Sequence, residues 1–148
     1  MISFDKENQR RIFRIADDRA QGKPIPEEDQ RIAHVMNAHP EFDEAWKQGE
    51  LAAYPQEING QVVNPFVHTV LHVIIDRQIL NEDPEFVAET HNRLVQQGMD
   101  EHKSLHAILW VFADIYFRTF RNGGQFDPLE YESRLSLLSY EENVENED

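Results

Sequence analysis

Apolar residues recur at helical spacing along most of the chain, and the interruptions fall at prolines, glycines and short polar residues. The pattern predicts seven helical segments, at residues 4–21, 26–39, 40–47, 65–80, 84–97, 101–121 and 128–137. Between the third and the fourth, Asn59-Gly60 resembles a hairpin turn, but its flanks are too short for more than a token strand pair, so we interpret this region as a loop that covers part of the core. We therefore predict an all-α fold, a single-domain bundle of six or seven helices that covers residues 1–140.

Five of the predicted helices are preceded by a residue whose side chain can cap the first turn. Asn64, Asp83 and Asp127 are each followed by proline, which is favoured at the first helical position. Ser3 and Asp100 supply the same kind of cap without a proline. These residues set the expected starts of the helices.

Two of the helices each carry a pair of histidines four residues apart. His68 and His72 lie on the fourth helix, whose apolar residues spread around most of its circumference, as is typical of a helix buried on most sides. His102 and His106 lie on the sixth helix, and at about 100° per residue they fall in the middle of its apolar stripe. The connection through the fifth helix is short, so we expect the fourth and sixth helices to lie side by side with all four rings inward.

Converging imidazoles are suited to binding a metal ion. Neutral imidazole is a ligand of zinc, iron, nickel and copper, and rings four residues apart on a helix are separated by only ~6 Å along its axis. We therefore predict metal ligands at His68, His72, His102 and His106, with zinc as the first expectation and iron or nickel as the second. Asp76, on a predicted polar strip of the fourth helix, is expected to accept a hydrogen bond from the second ring nitrogen of His72.

These residues do not define a reaction. Lys103 follows His102, where a zinc peptidase would carry its glutamate base, and the Glu-x-x-His pattern of di-iron bundles is absent. A metal with an open position would activate water for hydrolysis, whereas four bound imidazoles would make a closed, structural site. The alternative is a non-enzymatic helical protein-interaction module whose histidines only hydrogen-bond within the core. We interpret His34 and His39 as surface or capping residues.

Net charge and composition disfavour some classes of binding partner and of metal site. The formal charge of −14 disfavours nucleic acid and anionic membranes, because both repel an acidic chain. The absence of cysteine excludes disulfides and thiolate metal sites. A homodimer is compatible with either interpretation of the histidines, and no protein partner is indicated.

The two ends of the chain lead to further expectations. The start lacks the order of a secretory signal, and no apolar run approaches the ~20 residues that span a bilayer, so we predict a cytoplasmic location. Residues 141–148 contain five acids and no base. Such a segment buries too little surface to order itself, and we predict an acidic disordered tail.

From residue 64 onward the chain contains a set of short motifs separated by variable positions. They are Asn64-Pro65-Phe66, His68, His72, Gln78, Asp83-Pro84, Arg93-Leu94, Gly98, His102, His106 and Tyr131. In these motifs, over residues 64–137, the chain resembles an uncharacterised bacterial family, a domain of unknown function marked by Asn-Pro-Phe-x-His-x-x-x-His. Lys103 departs from the family pattern, which often has glutamate at that position. The resemblance implies a small helical bacterial protein and brings no established activity.

Overall fold

Seven α-helices make up most of the computed structural model, which describes residues 3–140. They are α1 (Lys6–Ala20), α2 (Gln30–Ala38), α3 (Asp43–Trp46), α4 (Pro65–Asn81), α5 (Glu85–Gln96), α6 (Glu101–Asn122) and α7 (Pro128–Ser136). The all-α fold class is therefore confirmed. The predicted acidic tail, 141–148, lies outside the described residues.

Short 3-10 turns and one hairpin connect the helices before α4. The turns span Glu27–Asp29, Pro40–Phe42 and Gly49–Ala53. Strands β1 (Gln56–Ile58) and β2 (Gln61–Val63) pair in antiparallel fashion. Asn59 and Gly60 between them have φ of 54° and 83°, the positive values that a tight two-residue hairpin needs. The region interpreted as a loop therefore contains a short strand pair around the Asn59-Gly60 turn.

The structure divides the chain into two compact units, Met1–Val73 and Ile74–Asp148. In the first unit, α1 and α2 pack through fully buried aliphatic side chains, among them Ile12, Ile15, Ile32, Val35 and Met36. The buried carboxylate of Asp29 accepts from Arg11 at 2.7 Å, so the charge that the fold buries there is paired. The prediction of one domain over residues 1–140 stays a prediction.

The second unit is built around Tyr131 of α7, which is 1 % exposed. Its ring packs against Phe86, Phe112 and Phe126, with centroids 5.3–5.6 Å away. The hydroxyl donates to Gln78 Oε1 at 2.7 Å, and burial raises the pKa of this phenol. A large buried ring with a satisfied hydroxyl explains how a short helix of nine residues is held in place.

Two of the predicted helix caps are wrong. Asp5 caps α1 by accepting from the Asn8 backbone N–H at 2.9 Å, while Ser3 donates its hydroxyl to Asp5. Pro84 precedes α5 without a side-chain cap, so Asp83 does not have the predicted role. The other three predicted caps are confirmed by side-chain acceptors at Asn64, Asp100 and Asp127.

None of the helices in residues 3–140 combines the length and the apolarity needed to cross a membrane.

Candidate metal centre

The beginning of α4 is anchored in a way that fixes the position of its first histidine. Asn64 Oδ1 accepts from the Val67 backbone N–H at 3.0 Å, and Asn64 Nδ2 donates to the Ala53 carbonyl at 2.9 Å. The same side chain therefore caps the helix and ties it to the preceding 3-10 turn. His68 lies one turn after this cap, so the backbone that carries its ring is held in place within the first unit.

α4 is buried on most of its circumference, as its apolar composition predicts. His68 and His72 are both buried. Thr69 and Asp76, on the predicted polar strip of this helix, are buried as well. The fourth helix thus encloses more polar groups than its apolar pattern indicates, and each needs a polar environment inside the protein.

His39 is the unexpected member of this region. It follows the last residue of α2, has φ −128° and ψ 65°, and precedes Pro40, so the helix cannot continue through it. The 3-10 turn that begins there returns the chain over the ring, and Phe42 stacks on it at 5.1 Å with an interplanar angle of 11°. The His39 ring centroid lies 4.6 Å from that of His68 and 5.5 Å from that of His72. His39 thus occupies the capping position at the end of α2, as one of the two interpretations expected, but it is buried, so the other interpretation, a surface residue, is wrong.

The hydrogen bonds of His39 define its tautomer. Its Nδ1 lies 2.7 Å from Glu41 Oε2, and its Nε2 lies 3.3 Å from His68 Nε2. Burial lowers the pKa of His39, against the raising effect of the Glu41 carboxylate, so the ring is neutral near neutral pH. A carboxylate only accepts, so the one proton lies on Nδ1, and Nε2 accepts the hydrogen bond from His68 Nε2.

The second histidine pair lies on α6 and is less buried than predicted. His102 and His106 are half-buried, with ring centroids 4.1 Å apart. The buried residues of α6 are Ser104, Ile108, Leu109, Val111, Phe112, Ala113 and Ile115. The histidines lie at the edge of this face rather than in its middle, because the wider stripe around Ile108 and Phe112 contributes most of the buried surface. Phe120, near the end of α6, is 70 % exposed.

Four histidines lie close enough to share one ion. One ring nitrogen from each of His39, His72, His102 and His106 lies within 4.8 Å of the others. Three of these residues are predicted ligands. His68, the fourth predicted ligand, is outside this group of four and contacts it through its 3.3 Å approach to His39. The ligand set His68, His72, His102 and His106, and the role of Asp76 beside His72, stay predictions.

A local signal for His39 is present in the sequence. The run His39-Pro40-Glu41-Phe42 places a helix-ending proline, a carboxylate and an aromatic ring directly after the histidine. Pro and the short turn bring Glu41 and Phe42 back onto the imidazole. The run does not predict that the His39 ring lies beside α4, because that contact depends on the path of the whole first unit.

A further histidine, His91 of α5, contacts α6. Its Nδ1 lies 2.8 Å from the hydroxyl of Ser104, and burial lowers the pKa of His91 while Glu101 and Asp76 oppose that shift. Ser104 is fully buried. A hydroxyl with no access to substrate cannot act as a nucleophile, so the pair joins two helices.

The fold and the cluster define a small helical protein with four closely spaced imidazoles, two of them buried. A family model described as a domain of unknown function, DUF1841, matches residues 5–136, and the chain belongs to that family. The resemblance is therefore confirmed for a family of this kind, over a longer part of the chain than the motifs indicated. The motif as a family mark and a bacterial origin stay predictions. No curated protein and no solved structure matches the chain.

Proposed function

We propose that the protein binds a transition metal ion through His39, His72, His102 and His106. The observation that carries the proposal is the approach of four ring nitrogens to within 4.8 Å of one another. Groups of exposed acids are common on surfaces, but this group consists only of imidazoles, two of them buried. Imidazole is the common protein ligand of zinc, iron and nickel.

The distances are compatible with zinc after a small contraction. Four nitrogens bound to zinc at ~2.0–2.1 Å in a tetrahedron lie ~3.3 Å apart. Starting from the 4.8 Å limit, each nitrogen needs to move inward by no more than ~1 Å. Side-chain torsions of this size lie within one rotamer well.

The protonation of the cluster also suits a cation. A ligating imidazole must be neutral, and burial favours that state of His39 by lowering its pKa. Glu41 at 2.7 Å supplies a negative charge behind the ring, and the chain as a whole carries a formal charge of −14. Zinc is our first choice and iron or nickel the second, because four imidazoles discriminate poorly among these ions.

A structural role for the ion is favoured over a catalytic one. Four protein ligands complete the coordination sphere of zinc and leave no position for water. Lys103 occupies the place of a potential general base beside His102. We therefore propose that the metal stabilises the helices that carry its ligands, in a protein that we place in the cytoplasm without nucleic acid or membrane as partner.

The competing proposal is an interaction module whose histidines serve the core alone. The bonds from His39 to Glu41 and to His68 favour it, since they satisfy both ring nitrogens without a metal. The two proposals differ in what zinc does to the protein. Only the metal proposal expects tight, saturable binding that depends on the clustered histidines.

The test is a competitive zinc titration of untagged protein against a coloured chelator. We expect about one zinc per chain for the wild type and loss of that binding in His72→Ala. His34→Ala is the matched control, because His34 is an exposed histidine of α2 in the same unit as His39. Absence of binding by the wild type, or equal loss in both variants, contradicts the proposal.

A further inference from the structure

Glu41 lies against the imidazole of His39, with its Oε2 atom 2.7 Å from His39 Nδ1. We infer that Glu41 is a positioning residue of the metal centre, which keeps the His39 proton on Nδ1 and so directs the Nε2 lone pair to the ion. This inference rests on the proposed function. It adds a residue that does not touch the metal and that neither the family description nor the histidine spacing indicates.

The local backbone holds Glu41 against the ring. His39 precedes the 3-10 turn Pro40–Phe42, and its carbonyl accepts from the Phe42 backbone N–H at 3.0 Å. The turn places Glu41 at the edge of the imidazole and Phe42 on its face. The ring is therefore oriented by residues adjacent in sequence, before any distant ligand contributes.

The length of the contact makes the tautomer choice strong. At 2.7 Å the bond from Nδ1 to Oε2 is in the range of charge-assisted hydrogen bonds. The opposite tautomer would point a lone pair at the carboxylate, and two acceptors at that distance repel. The His39 side chain is 4 % exposed, so little water can replace the bond, whereas Glu41 at 33 % exposure keeps part of its hydration.

The arrangement has a known chemical consequence at metal sites. A carboxylate that accepts from the remote nitrogen of a ligating histidine raises the basicity of the ligand and fixes the ring, and its removal costs ~10–100-fold in metal affinity. In the absence of metal, His39 Nε2 faces His68 Nε2 at 3.3 Å and accepts a hydrogen bond from it. An ion at His39 Nε2 therefore replaces the His68 contact, while the Glu41 contact remains.

Two measurements on full-length protein test the inference. The first is the zinc dissociation constant by chelator competition, and the second is the His39 tautomer of metal-free protein from its imidazole ¹⁵N shifts. We expect Glu41→Ala to weaken zinc binding by ~10–100-fold and to reduce the Nδ1–H form. Glu41→Gln is expected to restore the tautomer, because its amide oxygen accepts the same bond, and to recover part of the affinity. The control Glu44→Gln alters an exposed carboxylate that pairs with Lys47, and we expect it to change neither value.

The outcomes separate the inference from the proposed function. A wild type that binds no zinc overturns the proposed function and the metal role of Glu41 together. If the wild type binds zinc but Glu41→Ala keeps its affinity, or loses affinity without a change of tautomer, the inference alone is overturned. A Glu41→Gln variant that fails to restore the tautomer also overturns it, and this variant preserves the shape of the side chain should the alanine variant fold poorly.

Discussion

Replacing His39 with alanine should remove most of the stabilisation that zinc gives to the protein. A ligand that binds only the folded state at ~100 times its dissociation constant stabilises it by about 2.7 kcal/mol. For a chain of 148 residues, each kcal/mol moves the melting temperature by roughly 2–4 °C, so the wild type should gain ~5–11 °C. His39→Ala loses one of four clustered nitrogens and should gain only a small part of this at the same zinc concentration.

The difference between melts with zinc and with chelator is the quantity to compare, rather than the melting temperature itself. His39→Ala also removes the ring stacked on Phe42 and the bond to Glu41, so its metal-free form is expected to melt lower for reasons unrelated to zinc. Calorimetry of each variant with and without zinc separates the two effects. His34→Ala, which changes an exposed histidine, should keep the full zinc shift.

Two results would refute the reasoning. If His39→Ala retains the wild-type zinc shift, His39 is not a ligand. If His34→Ala loses the shift equally, zinc acts on surface histidines, and the cluster has no special part in binding.

Three further predictions concern single residues. His68→Ala should keep zinc affinity within about threefold, well short of the ~10–100-fold losses at metal-site residues, because His68 lies outside the group of four nitrogens; a chelator titration with a loss as large as that of His72→Ala would make His68 a ligand instead. Tyr131→Phe should cost about 1 kcal/mol, or roughly 2–4 °C, since the hydroxyl bond to Gln78 is lost while the buried ring remains; no change in calorimetry would contradict this. The lowered pKa of His91 means that the folded state binds fewer protons than the unfolded chain below the ordinary value of 6.5. Its stability contribution is therefore lost as pH falls below that value, and denaturant unfolding of His91→Gln should show a weaker loss between neutral and mildly acidic pH than the wild type.

The helices could be predicted from the sequence because their signals are local. Asn64-Pro65 and Asp100 each set a helix start that the structure confirms, and the apolar circumference of α4 correctly indicates burial. The error at Ser3 is also local, because a neighbouring residue takes the same capping position. At Asp83 the helix begins one residue later than predicted, so Pro84 and not Asp83 precedes its first residue. Asp5 lies two residues after Ser3 and reaches the free backbone N–H groups of α1 directly.

The candidate centre was predicted only in part because it depends on contacts between residues distant in sequence. Helical spacing identifies His72, His102 and His106 as paired with a neighbour on the same helix. It cannot identify His39, which has no partner at that spacing and is brought to His68 by the turn after α2. Helical phase also misplaced the α6 pair, since the direction of the core depends on which neighbours α6 packs against.

The most direct test of the central claim is elemental analysis of the untagged protein after purification without chelator or added metal. The metal proposal predicts about one equivalent of zinc, or of iron or nickel, per chain, and predicts that it is absent from a variant carrying both His39→Ala and His72→Ala. Protein that contains no stoichiometric metal, and that gains no thermal stability when zinc, iron or nickel is added, would contradict it.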